Sequence, residues 1–431
     1  MKRDAQSYRV LKQFGRVALS VGLLFHAFLA TNGYSYPSLL AIIEVQAKVC
    51  GHYNTPLSLD IKSLTIPNGR EITLWERMAQ GYEEIPFQIE TNPTPRLHWI
   101  LRGVTPEGKT RIFELRLTNS PSKFDPILAI RNANGILLQR GSKPIMQLNG
   151  STLYPPDGVD TIFRRSGFIH PIWSPCGDTI TRIHPPDHYH HFGVWNPRAK
   201  TTFEGAEIDF WNLGKGQGTV RLVEVEYVAA GAVFARIKAR LEHVTYPDSS
   251  ISKVAMHETW ELKVFGVSDS MWLIDFSSTI ACASNSPITL EKHRYGGFTL
   301  RGDTRWGDAV SSFLTSEGKN FSNANGARAR WCVANGPSGN GRVGIFMAGS
   351  ASNYNHPEPL RIWTPAAGGA TGDLFINFST TMDTSWVIQP DRSYEQQYRM
   401  VVMSRDIDKA NADGLWNGYT VAPEVRLVKV D

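Results

Sequence analysis

The sequence predicts an all-β protein, in which a small β-sandwich domain precedes a large antiparallel two-sheet sandwich. Three observations carry that expectation. Period-two alternation recurs: Val233, Ala235, Ile237, Ala239 and Leu241 alternate with Arg236, Lys238 and Arg240, and Val254, Met256, Glu258, Trp260, Leu262 and Val264 share one face of the next segment. Strands with one face on a core and one toward water read this way. Turn residues such as Ala230-Gly231 and Ser338-Gly339-Asn340-Gly341 cut the chain at strand length. After the amino-terminal segment no helical stripe of comparable quality occurs, and no internal repeat of fixed period is present.

Residues 1–35 have the order of a secretory signal peptide. Lys2, Arg3, Arg9, Lys12 and Arg16 precede an apolar run from Val17 to Ala30, and Thr31-Asn32-Gly33-Tyr34-Ser35 follows. The run is shorter than the ~20 apolar residues of a spanning helix. The expectation is a periplasmic or secreted protein with no stable membrane span after cleavage. The five bases and Asp4 of this segment supply four of the formal +5 charges, so the remainder carries about +1. No basic run interleaved with aromatics appears there, and nucleic acid is not an expected partner.

Residues 45–145 read as the small β domain, with strands expected at Leu57–Leu64, Glu71–Trp75, Arg96–Arg102 and Arg111–Leu117. Pro67-Asn68-Gly69 and Pro106-Glu107-Gly108 supply turns that need a glycine at positive φ. This part holds no catalytic constellation. Asn149-Gly150-Ser151 and Pro155-Pro156-Asp157-Gly158 mark the passage to the large domain, residues 146–431. There Val223, Val225 and Tyr227 alternate with Glu224 and Glu226, and Trp272, Ile274 and Phe276 form a further strand. Cys50, Cys176, Cys282 and Cys332 contain no C-x-x-C pair; they allow three disulfide pairings or free thiols.

Chemistry concentrates in Ile183-His184-Pro185-Pro186-Asp187-His188-Tyr189-His190-His191-Phe192-Gly193-Val194-Trp195. Five of the twelve histidines lie between His170 and His191. Imidazoles beside a carboxylate and tryptophans make a candidate site for proton exchange or metal ligation. If Asp187–Trp195 is extended, His188 and His190 share one face and His191 takes the other. Lys292-His293-Arg294-Tyr295-Gly296-Gly297-Phe298-Thr299-Leu300-Arg301 forms a second group, in which the paired glycines permit close backbone approach. Asn353, His356 and Pro357 read as structural. Glu258, alone on an apolar face, calls for a partner or a cleft, because an unpaired buried carboxylate is costly.

Arg164-Arg165-Ser166-Gly167-Phe168-Ile169-His170-Pro171, the histidine segment, Asp209-Phe210-Trp211 and Tyr295-Gly296-Gly297-Phe298 together resemble the bacterial PmoA-like family of unknown function. The resemblance covers most of the chain after the leader. It implies an exported protein in a polysaccharide-utilisation context and, for residues 146–431, a galactose-mutarotase-like supersandwich. The family label points toward membrane methane oxidation, which needs several membrane spans that this sequence lacks. Residue by residue, the resemblance points to His170, Asp187, His188, His190, His191, Trp195, Asp209, Trp211, His293, Tyr295 and Arg301, without assigning roles.

These readings combine into an expected carbohydrate-active protein. His188, His190, His293, Asp209 and Glu258 are the candidate catalytic groups, handling protons on a sugar, uronic acid or 3-keto glycoside in an epimerase, lyase or hydrolase reaction. His170, Asp187, His191, Trp195, Trp211, Tyr295 and Arg301 are the candidate binding groups, tryptophans stacking on a sugar and Arg301 pairing with a carboxylate or hydroxyl. Glu204 is a further carboxylate for hydrolysis. A divalent transition metal, if one is used, would fall to His188, His190 and His170. The competing class is a glycan-binding or structural β module whose histidines do no chemistry.

Overall fold

Alternation sets the strands. The computed structural model describes residues 38–120, 123–248, 251–306, 310–339, 341–363 and 373–429, so the expected signal peptide at 1–35 lies outside the described residues. Ala235, Ile237, Ala239 and Leu241 of strand Phe234–Asp248 are fully buried. Met256, Glu258, Trp260, Leu262 and Val264 of the antiparallel neighbour Ile251–Ser268 are buried beside them. Each large apolar side chain so placed contributes about 1.5–3 kcal/mol. Arg236, Lys238 and Arg240 stay half-buried on the other face, where they pair with Glu261, Glu226 and Glu224.

Two eight-stranded antiparallel sheets form the large sandwich, and the protein is all-β. One sheet runs, edge to edge, through Gly218–Ala229, Phe234–Asp248, Ile251–Ser268, Met271–Cys282, Ser393–Met403, Gly341–Gly349, Trp331–Ser338 and Ser312–Thr315. The other runs through Leu360–Ile362, Phe375–Phe378, Thr299–Arg301, Val194–Trp195, Phe168–Ile172, Lys143–Asn149, Gly135–Arg140 and Ile127–Asn132. Their inner faces share one core, in which Trp260, Trp272, Phe276, Leu300 and Ile376 are buried.

A separate sandwich at the amino-terminal side packs a five-stranded sheet on a three-stranded one around Trp99, Phe113, Leu74 and Ile43. Its first expected strand runs over His52–Asp60, since the chain turns at Ile61, whose carbonyl accepts from the Leu64 amide (2.9 Å). Strands Ile127–Asn132, Gly135–Arg140 and Lys143–Asn149 belong to the large sheet, so the seam between the two cores falls before Ile127, earlier than the 145/146 boundary expected from turn residues. The five-stranded sheet is closed at one edge by Glu424–Lys429, paired antiparallel with Ser38–Gln46.

Two local expectations are corrected. Val223 and Tyr227 are exposed rather than core-facing, because bulges at Leu222/Glu224 and Val225/Tyr227 shift the register of their strand. One α-helix, Lys409–Thr420, does form; Asp408 caps it by accepting from the Asn411 amide, and it buries Ala412, Leu415 and Trp416. All four cysteines are free. No helix among the described residues is long and apolar enough to cross a membrane.

Candidate functional site

The second large sheet has two unlike faces. Ile169, Val194, Leu300 and Ile376 form one cross-strand row that belongs to the shared core. The neighbouring positions turn outward: Trp195 pairs with Thr299, and Arg301 with Phe375. On that outer face Phe168, Phe192, Trp195, Trp211, Trp363 and Phe375 build an aromatic cluster of their own, and the histidine segment lies against it.

The segment is not extended. The Ile183–Phe192 bridge closes a double turn, in which the His188 amide donates to the Pro185 carbonyl (2.8 Å) and the His191 amide to the His188 carbonyl (3.0 Å). The two prolines cannot donate ladder hydrogen bonds, which favours a turn here over a strand. Gly193 leaves the turn at φ +61°, where a Cβ would stand 2.5 Å from the Ile169 carbonyl oxygen. The alternation expected to separate His191 from His188 and His190 therefore fails, and all three meet. Ring centroids are 5.4 Å apart for His188–His190, 4.7 Å for His188–His191 and 4.6 Å for His190–His191.

Within this group one histidine has a carboxylate. His188 Nδ1 lies 2.8 Å from Asp187 Oδ2. Arg301, with no exposed surface, donates from Nη2 to both oxygens of Asp187 (3.3 and 3.1 Å) and to Asp373, which also accepts from Arg182 (2.8 Å). The Arg301 guanidinium lies over the Trp363 ring at 4.5 Å, and the same indole stands 4.8 Å from His188. Burial pushes the Asp187 carboxyl up, but the hydrogen bond from His188 and the charge of Arg301 outweigh it and hold the group below its ordinary range.

The other imidazoles are held neutral. Burial, reinforced by His188 and Arg301, pushes His190 down to about 3, and burial drives His191 well below its usual value. His191 is wedged between rings, 5.3 Å from Trp195 and 5.4 Å from Trp363 and from Phe375. With Nδ1 of His188 turned to Asp187, its Nε2 is the ring nitrogen that has no carboxylate partner.

The other expected residues divide clearly. Trp195 and Trp211 pack at 5.4 Å, and Tyr295 lies 5.1 Å from Trp211. His293 rests on the far side of Tyr295 (5.9 Å), so the ring contacts run from His293 through Tyr295 and Trp211 before reaching His191. It is not beside the histidine turn as expected. Asp209 is a buried turn-former whose Oδ1 accepts from the Trp211 and Asn212 amides (2.8 and 2.9 Å); it positions Trp211 and faces no reacting group. His170 bonds Thr181 Oγ1 (2.9 Å), and burial pushes it down to about 4. Gly297 approaches the Phe378 carbonyl closely, so the glycine pair serves strand packing. Asn353 bonds the Gln397 backbone and His356 stacks on Trp416.

Glu258 is the clearest correction. It is buried between the two large sheets and accepts from Asn196 Nδ2 (2.8 Å), Trp260 Nε1 (2.7 Å) and Ser278 Oγ (2.5 Å), with His243 Nε2 at 2.8 Å. Burial pushes it up, yet the bond with His243 and the charges of His243 and Arg198 bring it down to about 2. It is an interior anchor, with all of its hydrogen bonds made inside the sandwich. Glu204 pairs with Lys253 (2.6 Å) on an exposed turn and is likewise outside the site.

Among the described residues, no three histidine, cysteine or carboxylate side chains are gathered in a way that would hold a metal ion, and His170 does not join His188 and His190. The donor set offered here does not fit a metal. Two large surface hollows lie elsewhere: one of about 530 Å³ beside Glu90 and Tyr227, the other of about 650 Å³ beside Tyr354 and Trp386.

Sequence reasoning missed Trp363, Asp373, Arg182 and Arg361. Arg361 donates to Asn325 Oδ1 (2.9 Å) and to the Tyr295 hydroxyl (3.2 Å), which also accepts from Trp363 Nε1 (3.4 Å). The usable signal was Arg361-Ile362-Trp363, a cation and an indole two apart at the end of a strand.

Residues 136–417 match the model of a family described as a family of unknown function (DUF6807), a coarser statement than the PmoA-like resemblance. No curated protein matches the chain. Among solved structures, an α-mannosidase from Enterococcus faecalis V583 is similar at 8% identity with a TM-score of 0.46, over 91% of this chain and 46% of that one. The chain thus spans about half the length of that enzyme.

Proposed function

The chain belongs to this family of unknown function, so the reading must come from its own side chains, and we propose that it transfers protons on a carbohydrate, with His188 as the exchanging group. The observation that carries the proposal is the Asp187–His188 pair under an aromatic wall, with Arg301 fixing the carboxylate. A carboxylate on Nδ1 selects the tautomer with Nε2 open and favours the imidazolium once a proton is taken up. Trp363 lies against His188 and, only 5% exposed, walls that side of the pair, while Asp187, about one-third exposed, is the polar group placed to orient a hydroxyl. A base of this kind serves epimerisation or β-elimination, where a proton next to a carbonyl or carboxyl group is removed. Hydrolysis by two carboxylates is less well served, since Glu258, Asp209 and Glu204 lie apart from His188.

The test is a screen of the purified protein against neutral glycosides, uronides and 3-keto glycosides, repeated with His188→Ala. Turnover lost in the variant, with the melting temperature kept, supports the reading. Binding without turnover in every case leaves a glycan-binding module instead. We also infer export, from the basic-then-apolar order of residues 1–35. Mass spectrometry that found an intact amino terminus on the mature protein would overturn it.

A further inference from the structure

The outer face of the first large sheet changes character along its strands. Phe234, Phe265, Leu273 and Val401 form one cross-strand row, buried in a cluster with Ile100 of the small sandwich and with Leu415 and Trp416 of the helix. Two residues further along each strand the same face carries Arg236, Lys263, Asp275 and Arg399, and two further still Lys238, Glu261, Ser277 and Gln397. The cover ends with the apolar row, and a groove crosses the strands at that step.

Three hollows lie along it. The first, about 530 Å³, is lined by Tyr227, Arg236 and Lys238, with Gln88, Glu90 and Asn92 of the small sandwich as a wall. The second, about 240 Å³, is lined by Lys263 and Glu261, the cross-strand partners of Arg236 and Lys238, and by Tyr419 of the helix. The third, about 650 Å³, is lined by Tyr354, Trp386 and Tyr394 and shares Glu395 with the second. The strands of Tyr227 and Glu395 are the first and fifth of the sheet, so the groove spans about 19 Å. Its wall is fixed: Gln88 Oε1 accepts from the Val233 and Phe234 amides (3.3 and 3.1 Å).

The lining selects among occupants. Glu261 pairs with Arg236 (2.9 Å) and Asp275 with Arg399 (2.6 Å), so the floor interleaves the two signs of charge and favours neither an acidic nor a basic polymer. Arg236 Nε and the Tyr419 hydroxyl are buried without a partner, which is unusual for polar atoms. Sugar hydroxyls both donate and accept, and they match such a floor. Tyrosine rings stand at both ends, and Tyr227 is 46% exposed, an amphipathic surface on which a sugar ring can rest. A peptide is less well served, because the wall strand Phe87–Glu90 offers only four residues for pairing and the charged floor gives no apolar pockets for alternate side chains.

We propose that this groove binds an extended neutral glycan chain. It lies on the outer face of one large sheet, whereas His188 lies against the outer face of the other, so the two sites are on opposite sides of the sandwich. The groove is a second site, and it does not depend on the reading of His188.

The experiment is native affinity electrophoresis of the purified protein, Tyr227→Ala, Glu395→Ala and His188→Ala through gels containing soluble mannan, xylan, mixed-linkage β-glucan or polygalacturonate. Both groove substitutions fall at exposed side chains, and thermal denaturation checks that the variants fold. The expected result is retardation by at least one neutral polysaccharide, weakened about fivefold or more in Tyr227→Ala and in Glu395→Ala, with polygalacturonate retarding less. Retardation by none of the neutral polysaccharides overturns the groove, and so does weakening in only one of the two groove variants. Retardation that survives both of them and is lost in His188→Ala also overturns it, while leaving the carbohydrate reading of the histidine site standing. Stronger retardation by polygalacturonate overturns the neutral class. Displacement of the bound polysaccharide by a casein digest assigns the groove to peptides instead.

Discussion

Asp187 Oδ2 lies 2.8 Å from Nδ1 of His188, its neighbour in the chain, so one peptide unit carries both halves of the proton-handling pair. Nothing in the backbone requires this orientation. It holds because Arg301, 114 residues away in sequence, grips the same carboxylate at 3.1 Å.

Asp187→Asn is expected to lower kcat by about 10²–10⁴-fold, the usual worth of a positioned acid–base group, since an amide neither fixes the tautomer nor favours the imidazolium. Denaturation midpoints should change little, because both side chains are about one-third exposed. Full activity in this variant, measured on any sugar that is turned over, would remove the pair from the mechanism.

Arg301→Ala should cost about 3–5 kcal/mol in urea denaturation, the usual penalty for breaking a buried ion pair from one side. Asp373 would keep Arg182, but Asp187 would lose the guanidinium that holds it. Arg182→Ala, at a more exposed end of the same network, should cost less. Equal losses for the two would contradict the burial argument.

Glu258→Ala removes the common acceptor of Asn196, Ser278 and Trp260 and the partner of His243. A loss of about 3–5 kcal/mol is expected, read by denaturation, with sugar binding in the surviving folded fraction unaltered. A selective loss of binding with stability intact would return Glu258 to the site.

Stability should respond to pH in two opposite senses. His170 and His190 are held down to about 4 and about 3 against an ordinary 6.5, so the unfolded chain takes up protons first and their contribution is lost as pH falls below 6.5. Burial pushes Glu358 up to about 7 from 4.5; its contribution is full below 4.5 and lost as pH rises through 7. Glu358→Gln, which cannot ionise, should remove this opposing contribution and so steepen the rise of stability with pH between 4.5 and 6.5. An unchanged slope in that window would show that Glu358 does not titrate there.

The large sheets were legible because their residues obey a local rule. Ala235 to Leu241 and Met256 to Val264 alternate without interruption, and each strand's inner face follows from its own sequence. The register of Val223 and Tyr227 was not legible, since the bulges that turn them outward are set against the partner strand. The composition of the histidine segment pointed to imidazoles that do meet in the fold, but Pro185-Pro186 makes a turn where the alternation needs an extended strand. Glu258 stood out correctly as a buried charge. Its partners His243, Asn196 and Ser278 come from other strands, so the sequence could not tell an interior anchor from a catalytic acid. Asp373, Trp363 and Arg361 stand outside any histidine cluster and reach the site only through strand order.

The pairing of Glu424–Lys429 with Ser38–Gln46 imposes an order of events on biosynthesis. The first strand of the small sandwich emerges early and must wait for the last before one of its edges is covered. Until then that edge offers unpaired amides and carbonyls to any passing strand, its own or a neighbour's. This sheet is completed only after residues 424–429 are free, and a chaperone that shields Ser38–Gln46 in the interval would be protecting the position at which the finished sheet is fastened.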